Sequence, residues 1–171
     1  PVDVERVRLV REMVGAEGRL ALDANHAWSN LPDALRAIER VRPYDPWWIE
    51  EPSLPDCAAG FAELAKRISV PIATGELEAT RWPFRQLLDE RSVQILQPDV
   101  TVCGGVTEWR RIAQMAAGFD TPVAPHWAPE VHAHLVAASP SGLAIEYFTP
   151  DFEIVNVDRL LAEPLNLTGG R

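Results

Sequence analysis

Three acidic residues, each directly after a short apolar run, recur at nearly equal spacing along the chain. They are Asp23 in LALDAN, Glu50 in PWWIEEP and Glu76 in PIATGE, which are 27 and 26 residues apart. This spacing is the length of one strand-plus-helix unit, so it predicts three carboxylates at the same end of three successive parallel strands. Converging carboxylates repel one another unless a cation lies between them, and oxygen-only ligands favour a hard cation. The pattern therefore predicts a metal site for an ion such as Mg²⁺.

The same rhythm continues through three further polar residues. Asp99 in VQILQPD follows 23 residues after Glu76, His126 in TPVAPHW follows 27 later, and Glu146 in LAIEYF 20 later still. A histidine titrates near neutral pH, and an aspartate one strand upstream can accept a hydrogen bond from the imidazole and raise its basicity. This pairing favours a catalytic His126 over a strand-end histidine that only satisfies a backbone carbonyl.

Strand and helix patterns alternate along the chain and must position these groups. The predicted strands are RLALDA, PWWIEE, VPIATG, SVQILQ, TPVAP and GLAIEYF. A helical stripe of Val4, Val7, Val10 and Val14 precedes the first strand. Further helices are expected after a cap at Ser29 or Asn30, from Asp56, from about Thr80, after Gly104-Gly105 and through His134.

Six strands of one period predict a parallel α/β architecture. The alternatives are an open doubly wound sheet, which concentrates its site at one switch point, and a closed (β/α)8 barrel, whose site is a ring of strand ends. A polar residue after each of six strands favours the barrel. Because a barrel needs eight strands, we expect residues 1–171 to supply strands three to eight as its C-terminal part, with the first two βα units coming from preceding sequence.

The charge composition of the chain argues against some classes of binding partner. The chain has 16 Lys plus Arg and 25 Asp plus Glu, a net charge of −9, which argues against nucleic acid or an anionic membrane as partner. No apolar run approaches the 18 residues of a transmembrane helix. The two cysteines, Cys57 and Cys103, have no disulfide or metal-binding spacing, so we expect reduced thiols that are buried or half-buried. Because the first residues resemble a helix and not a signal peptide, we expect a cytoplasmic protein.

The motifs LDANHAWS, WIEEP, ATGE, QPD followed by CGGVTEW, PHW and the final Glu146 together resemble the barrel domain of the enolase superfamily, in the order of its mandelate racemase subgroup. The resemblance extends from about residue 4 to residue 150. It implies that Asp23, Glu50 and Glu76 bind Mg²⁺ and that His126 and Asp99 form a catalytic dyad. It also implies an N-terminal capping domain outside this sequence, and we expect a homo-oligomer.

Residues beside the main motifs are further candidates. The resemblance implies that Glu146 hydrogen-bonds the substrate carboxylate, for which it must carry a proton. Asn25 and His26 follow the first metal ligand and are candidate substrate contacts, although both also suit a turn. Trp127 is expected to wall the pocket. Glu51 is expected to point to the other side of its strand and either to hold a cation beyond the direct metal ligands or to form a salt bridge.

Two histidines of the last helix, His132 and His134, are two positions apart and do not share a helical face, so we expect both to be structural or solvated.

The resemblance implies a small-molecule carboxylate substrate and Mg²⁺-assisted transfer of the proton next to that carboxylate. It favours dehydration of a sugar acid to a 2-keto-3-deoxy acid. The first alternative is a 2-hydroxyacid racemase, which needs a second base opposite His126; in the family that base is a lysine at the end of the second strand, which is not in this sequence. A muconate-type cycloisomerase is less favoured. In the family such enzymes carry a lysine near the end of the sixth strand, where QPDVTVCGG has none. A catalytically silent fragment or binding subunit is the remaining alternative.

Overall fold

A computed structural model describes residues 2–54, 58–149, 161–165 and 167–168. Within these residues, helices and short strands alternate as the sequence predicts. The helices are α1 (Val2–Val14), α2 (Leu31–Val41), α3 (Ala58–Ala65), α4 (Arg81–Asp89), α5 (Gly105–Gly118) and α6 (Pro129–Ala137), with a 3₁₀ turn at Arg42–Tyr44. The strands are β1 (Leu22–Asp23), β2 (Ile49–Glu50), β3 (Ile72–Thr74) and β4 (Ile95–Leu96).

The four strands form one parallel sheet in the order β1-β2-β3-β4, which is their order along the chain. Each strand is joined to the next by a helical crossover, the arrangement that repeated βα units produce. The register pairs Asp23 with Glu50, and Glu50 with Ala73. The predicted parallel α/β architecture is therefore confirmed, and the first two acidic residues end adjacent strands at the same level.

The predictions for the fifth and sixth strands were wrong in extent. In place of strands at TPVAP and GLAIEYF, the structure has single parallel bridges, from Leu96 to Val123 and from Val123 to Gly142. Proline explains both interruptions, because it has no N–H to donate to a ladder. Ala124 N donates to Leu96 O, and the next donor along that ladder would be the nitrogen of Pro98. Leu143 N donates to Val123 O, and the next donor along that ladder would be the nitrogen of Pro125.

Strand side chains alternate between two apolar clusters on opposite faces of the sheet. Ile49, Ile72, Leu96 and Val123 belong to the larger cluster, which they share with the helices. Their sequence neighbours Trp48, Ala73, Ile95 and Ala124 form the smaller one. Asp23 and Glu50 share the register of Ala73 and Ile95, which places their carboxylates on the face away from the helix layer.

Helix boundaries agree with the predicted signals where the structure describes them. Asn30 caps α2, since its side chain accepts a hydrogen bond of 2.9 Å from Asp33 N. The predicted start of the third helix at Asp56 lies outside the described residues, as does Cys57, whereas Cys103 is a buried free thiol as expected.

The valine stripe of α1 is only half buried. Val4 and Val7 pack against the core, while Val10 and Val14 are exposed. No helix in the described part of the chain is long and apolar enough to cross a bilayer.

Candidate active site

Glu50 is a buried carboxylate at the end of β2. Its Oε2 accepts a hydrogen bond of 3.1 Å from Trp48 Nε1. Burial raises the pKa of Glu50; hydrogen bonds from Gln97 and Trp48 oppose the rise, and the charges of Asp23 and Glu146 add to it. A carboxylate in this position is short of positive charge, which a bound cation would supply.

Glu76 extends the acidic group beyond the end of β3. Its side chain is 14% exposed, and Oε2 lies 3.9 Å from His126 Nε2. Burial raises the pKa of Glu76 to about 7, helped by the charges of Glu51, Glu50 and Asp23 and opposed by that of His126. The third predicted ligand therefore shares one electrostatic environment with the other two.

The three carboxylates do not form a closed cage as the side chains stand. Within the described ranges, no group of three or more His, Cys, Asp or Glu side chains is arranged to enclose a metal ion. Protein donors engage two of the carboxylates: Asn25 N donates to Asp23 Oδ1 over 2.7 Å, and Trp48 holds Glu50. The donor set still fits a hard cation, because it is oxygen-only and lies on adjacent strand ends.

His126 and Asp99 form the hydrogen-bonded pair that the sequence predicts. His126 Nδ1 lies 2.9 Å from Asp99 Oδ2, and the aspartate side chain is almost fully buried. The other oxygen, Oδ1, accepts hydrogen bonds of 2.7 Å from both Thr101 N and Thr101 Oγ1. Asp99 is therefore held in one orientation that leaves Oδ2 for the imidazole and directs Nε2 of His126 towards Glu76.

Charge around the pair stabilises the imidazolium form of His126. Burial alone would lower the pKa of His126, but the hydrogen bond to Asp99 and the charges of Glu76 and Glu146 raise it to about 9. Burial would raise the pKa of Asp99, yet its hydrogen bonds with His126 and Thr101 outweigh burial and lower it. The hydrogen bond and the surrounding carboxylates therefore favour the charged form of His126 beside Asp99.

Glu146 also lies close enough to the histidine to act on its charge. Its Oε2 accepts a hydrogen bond of 2.7 Å from Trp127 N. The indole of Trp127 stands edge-on to the His126 ring with centroids 6.0 Å apart, and it is 38% exposed. Glu146, His126 and Trp127 are thus brought together at one mouth, consistent with the predicted pocket wall.

The turn after β1 carries the two other candidate substrate contacts. Asn25 and His26 both adopt left-handed backbone, with φ of 43° and 59°. His26 Nε2 lies 3.1 Å from Glu51 Oε2, although the two atoms are not aligned as a hydrogen bond. One ring nitrogen of His26 is therefore directed inward, and a substrate contact for either residue remains a prediction.

Glu51 is a buried anchor whose role the sequence does not reveal. Its Oε1 accepts hydrogen bonds from Thr74 Oγ1 (2.7 Å) and Gly75 N (2.9 Å), and its carbonyl accepts one from His26 N (2.7 Å). It thereby ties together the turns that follow β1, β2 and β3, the strand ends that carry the three candidate ligands. The only sequence signal is the doublet of two glutamates after an apolar run.

Comparisons with known proteins show the family of the chain. The chain belongs to the enolase C-terminal domain-like family, whose model matches residues 2–171. The membership that the motifs implied is therefore confirmed.

The most similar proteins include dehydratases and a racemase. L-talarate/galactarate dehydratase of Salmonella typhimurium is 36% identical over 169 residues, which cover 99% of this chain and 41% of that protein. The structure of L-talarate dehydratase from Polaromonas sp. JS666, complexed with Mg and L-glucarate, matches with 37% identity and a TM-score of 0.81, covering 86% of this chain and 41% of that one. A racemase from Streptomyces coelicolor A3(2) with bound magnesium matches with 32% identity and a TM-score of 0.82, covering 85% and 43%. The chain thus spans about two fifths of the length of these relatives.

Proposed function

We propose that the protein carrying this chain performs Mg²⁺-dependent removal of the proton next to a carboxylate, and that it dehydrates a sugar acid to a 2-keto-3-deoxy acid. One observation carries the proposal. The His126–Asp99 pair, 2.9 Å apart, places Nε2 of the imidazole 3.9 Å from Glu76, one of three carboxylates at successive strand ends. A base beside an oxygen-only cation site is the arrangement that this chemistry needs.

Asp23, Glu50 and Glu76 are the residues that would hold the cation. When bound, Mg²⁺ supplies Lewis-acid polarisation of the substrate carboxylate. The raised pKa values of Glu50 and Glu76 support this assignment, because they report carboxylates whose charge lacks compensation.

His126 is the residue that would move the proton. Its Nδ1 is occupied by Asp99, so Nε2 is the nitrogen that can exchange protons with substrate. As a neutral imidazole it can take the proton next to the carboxylate, and as an imidazolium it can give a proton to a departing hydroxyl. One side chain thus serves both steps of a dehydration.

Glu146, Asn25, His26 and Trp127 would complete the substrate site. Glu146 would hydrogen-bond the substrate carboxylate where negative charge develops on it. Trp127 would wall the pocket, while Asn25 and His26 would contact substrate hydroxyls. We further propose that two βα units and a capping domain precede the chain, in keeping with its coverage of about two fifths of its relatives.

A 2-hydroxyacid racemase is the second candidate, because a racemase is among the similar solved structures. It would use the same cation and dyad but would need a second base on the opposite face of the substrate. The similarity to a dehydratase over 99% of the chain favours elimination.

Exchange of the substrate α-proton in deuterated water, with Mg²⁺ and a panel of sugar acids, tests the proposal. We expect exchange and 2-keto acid formation in the unmodified protein, and a loss of about 10²–10⁴-fold in His126→Asn. His134→Asn, on the exposed side of α6, is the matched control and should retain exchange. Exchange without keto acid would favour the racemase, and undiminished exchange in His126→Asn would contradict the assigned base.

A further inference from the structure

His132, which lies on α6, is fully buried although it carries two polar ring nitrogens. Both nitrogens have partners. Nε2 accepts a hydrogen bond of 3.1 Å from Val100 N, and Nδ1 lies 2.6 Å from Trp127 O. Val100 directly follows Asp99 and Trp127 directly follows His126, so one imidazole contacts the backbone beside each member of the dyad.

These partners determine the state of the ring. A carbonyl can only accept, so Nδ1 must carry the proton; a backbone N–H can only donate, so Nε2 must be bare. His132 is therefore a neutral imidazole in one tautomer, and a second proton would break the bond to Val100. Burial also lowers the pKa of His132, in agreement with the neutral form.

The backbone on both sides of Asp99 is hydrogen-bonded to side chains of α5 and α6. Trp109 of α5 donates from Nε1 to Pro98 O over 3.0 Å, and His132 receives the N–H of Val100. The two rings are buried against each other, with centroids 6.0 Å apart. The residue between these two anchors is the aspartate that orients His126.

The peptide after His126 is held in the same way. Trp127 and Ala128 adopt left-handed backbone, with φ of 54° and 40°, a conformation that non-glycine residues keep only when their surroundings impose it. Nδ1 of His132 donates to the carbonyl of Trp127, and the N–H of Trp127 donates to the carboxylate of Glu146. Fixing this peptide therefore fixes His126 and Glu146 together.

We propose that His132 is a positioning residue that keeps the Asp99 turn and the His126 turn in register, and so keeps the dyad assembled. The proposal rests on the proposed function only for its effect on rate. A buried histidine that merely satisfied its own helix would not bond to two loops that both carry the dyad.

Three substitutions separate its two contacts. His132→Gln retains an acceptor at the position of Nε2 for Val100, and His132→Asn retains a donor at the position of Nδ1 for Trp127. His132→Leu removes both. His134→Leu, two residues further along α6 and exposed, is the matched control.

Nitrogen NMR of the ring tests the geometry without any substrate. We expect His132 to show a protonated Nδ1 and a bare Nε2 at pH 7. The ring resonances of His126 should shift in His132→Leu but not in His134→Leu. A protonated Nε2, or an unmoved His126 signal in a folded His132→Leu protein, would overturn the proposal.

Kinetics test the consequence. Misplacing a catalytic base by about 1 Å can reduce rate by about 10²-fold, so we expect kcat for α-proton exchange to fall by roughly 10–100-fold in His132→Leu. The two amide variants should recover part of that loss, while KM and Mg²⁺ affinity change little. If His132→Leu does not fold, the amide variants decide: unchanged kcat in both would contradict the proposal. If the unmodified protein shows no exchange with any substrate, the proposed function fails, whereas the ring NMR still decides the role of His132.

Discussion

Asp99 shows how the hydrogen bonds of one side chain determine what its neighbour can do. Both donors of Thr101 are directed at Oδ1, so only Oδ2 remains for His126. This arrangement requires Nδ1 of His126 to carry a proton, which leaves Nε2 as the nitrogen that could serve as the proposed base.

Asp99→Asn should therefore reverse the tautomer. The amide oxygen must stay on Thr101, so the amide nitrogen would face His126 and donate to Nδ1. Nε2 would then carry the proton and could not act as a base, and we expect α-proton exchange to fall on the order of 10³-fold. The rate of α-proton exchange and nitrogen NMR of the His126 ring measure the two effects. Asp89→Asn, on the surface of α4, is the control and should retain both the exchange rate and the tautomer of His126.

The pH dependence of stability in metal-free protein follows from His126. Its pKa is raised to about 9 from 6.5, so the folded state binds more protons between these values. Its contribution to stability is complete below pH 6.5 and is lost as the pH rises through 9, a decrease of roughly 1–2 kcal/mol after allowance for partial exposure. Denaturant unfolding between pH 6 and 9.5 measures it. The loss of stability with rising pH should be smaller in His126→Gln. An equal loss in that variant would show that His126 is not its cause.

At this scale, spacing predicted that Asp23 and Glu50 lie at neighbouring strand ends and that His126 lies beside Asp99, because strand ends recur with the βα period. It could not identify Glu51 or Trp48 as their supports. Those roles depend on which side chain meets which backbone across strands, and periodicity carries no such information.

At the scale of elements, Glu51 joins three strand ends through one buried carboxylate. Glu51→Ala would leave the Thr74 hydroxyl and the Gly75 N–H without their acceptor, and we expect a loss of about 2–4 kcal/mol in the free energy of unfolding. Glu51→Gln retains an acceptor oxygen and should lose less than half as much. Equal losses in urea unfolding would show that the hydrogen bonds to Oε1 are unimportant.

Gly75 offers a second test at the turn that carries Glu76. Its φ is 131°, and an added Cβ would lie 2.6 Å from Cε1 of Phe84. Gly75→Ala should destabilise the fold by about 2–4 kcal/mol, because both backbone conformation and packing oppose it. Gly118→Ala, at the end of α5 where the added Cβ would meet no atom outside its own stretch of helix within 4 Å, should be neutral or slightly stabilising. Thermal unfolding of the two variants compares them directly.

Element order was predictable, but strand length was not. The apolar run of TPVAP reports the burial of Val123 and Ala124, and that of GLAIEYF is only partly buried, whereas a strand also needs a continuous row of N–H donors. Pro98 and Pro125 interrupt that row at the positions where the next bond would form. The helix starting at Asn30 was predicted well because its capping signal is local.

At the scale of the whole molecule, the parallel strand order brings residues that are far apart in the sequence to the same end of the sheet. Their side chains lie on the sheet face away from the helices. Among the described residues β1 is an edge strand of the sheet, and a groove of about 620 Å³ lies between it and α1, lined by Val7, Val10, Leu20, Leu22 and Asp23 among others. An apolar groove beside an unpaired strand edge suits a further strand and helix, which supports the proposed preceding βα units.

Calorimetric titration of the complete protein with Mg²⁺ tests the central claim most directly, namely that Asp23, Glu50 and Glu76 hold one cation beside the His126–Asp99 pair. We predict binding of one ion in the unmodified protein, its loss in Glu50→Gln, and its retention in Glu17→Gln, an exposed carboxylate before β1. Circular dichroism would verify that each variant is folded. Equal binding by the unmodified protein and Glu50→Gln, or no binding by the folded unmodified protein, would contradict the account.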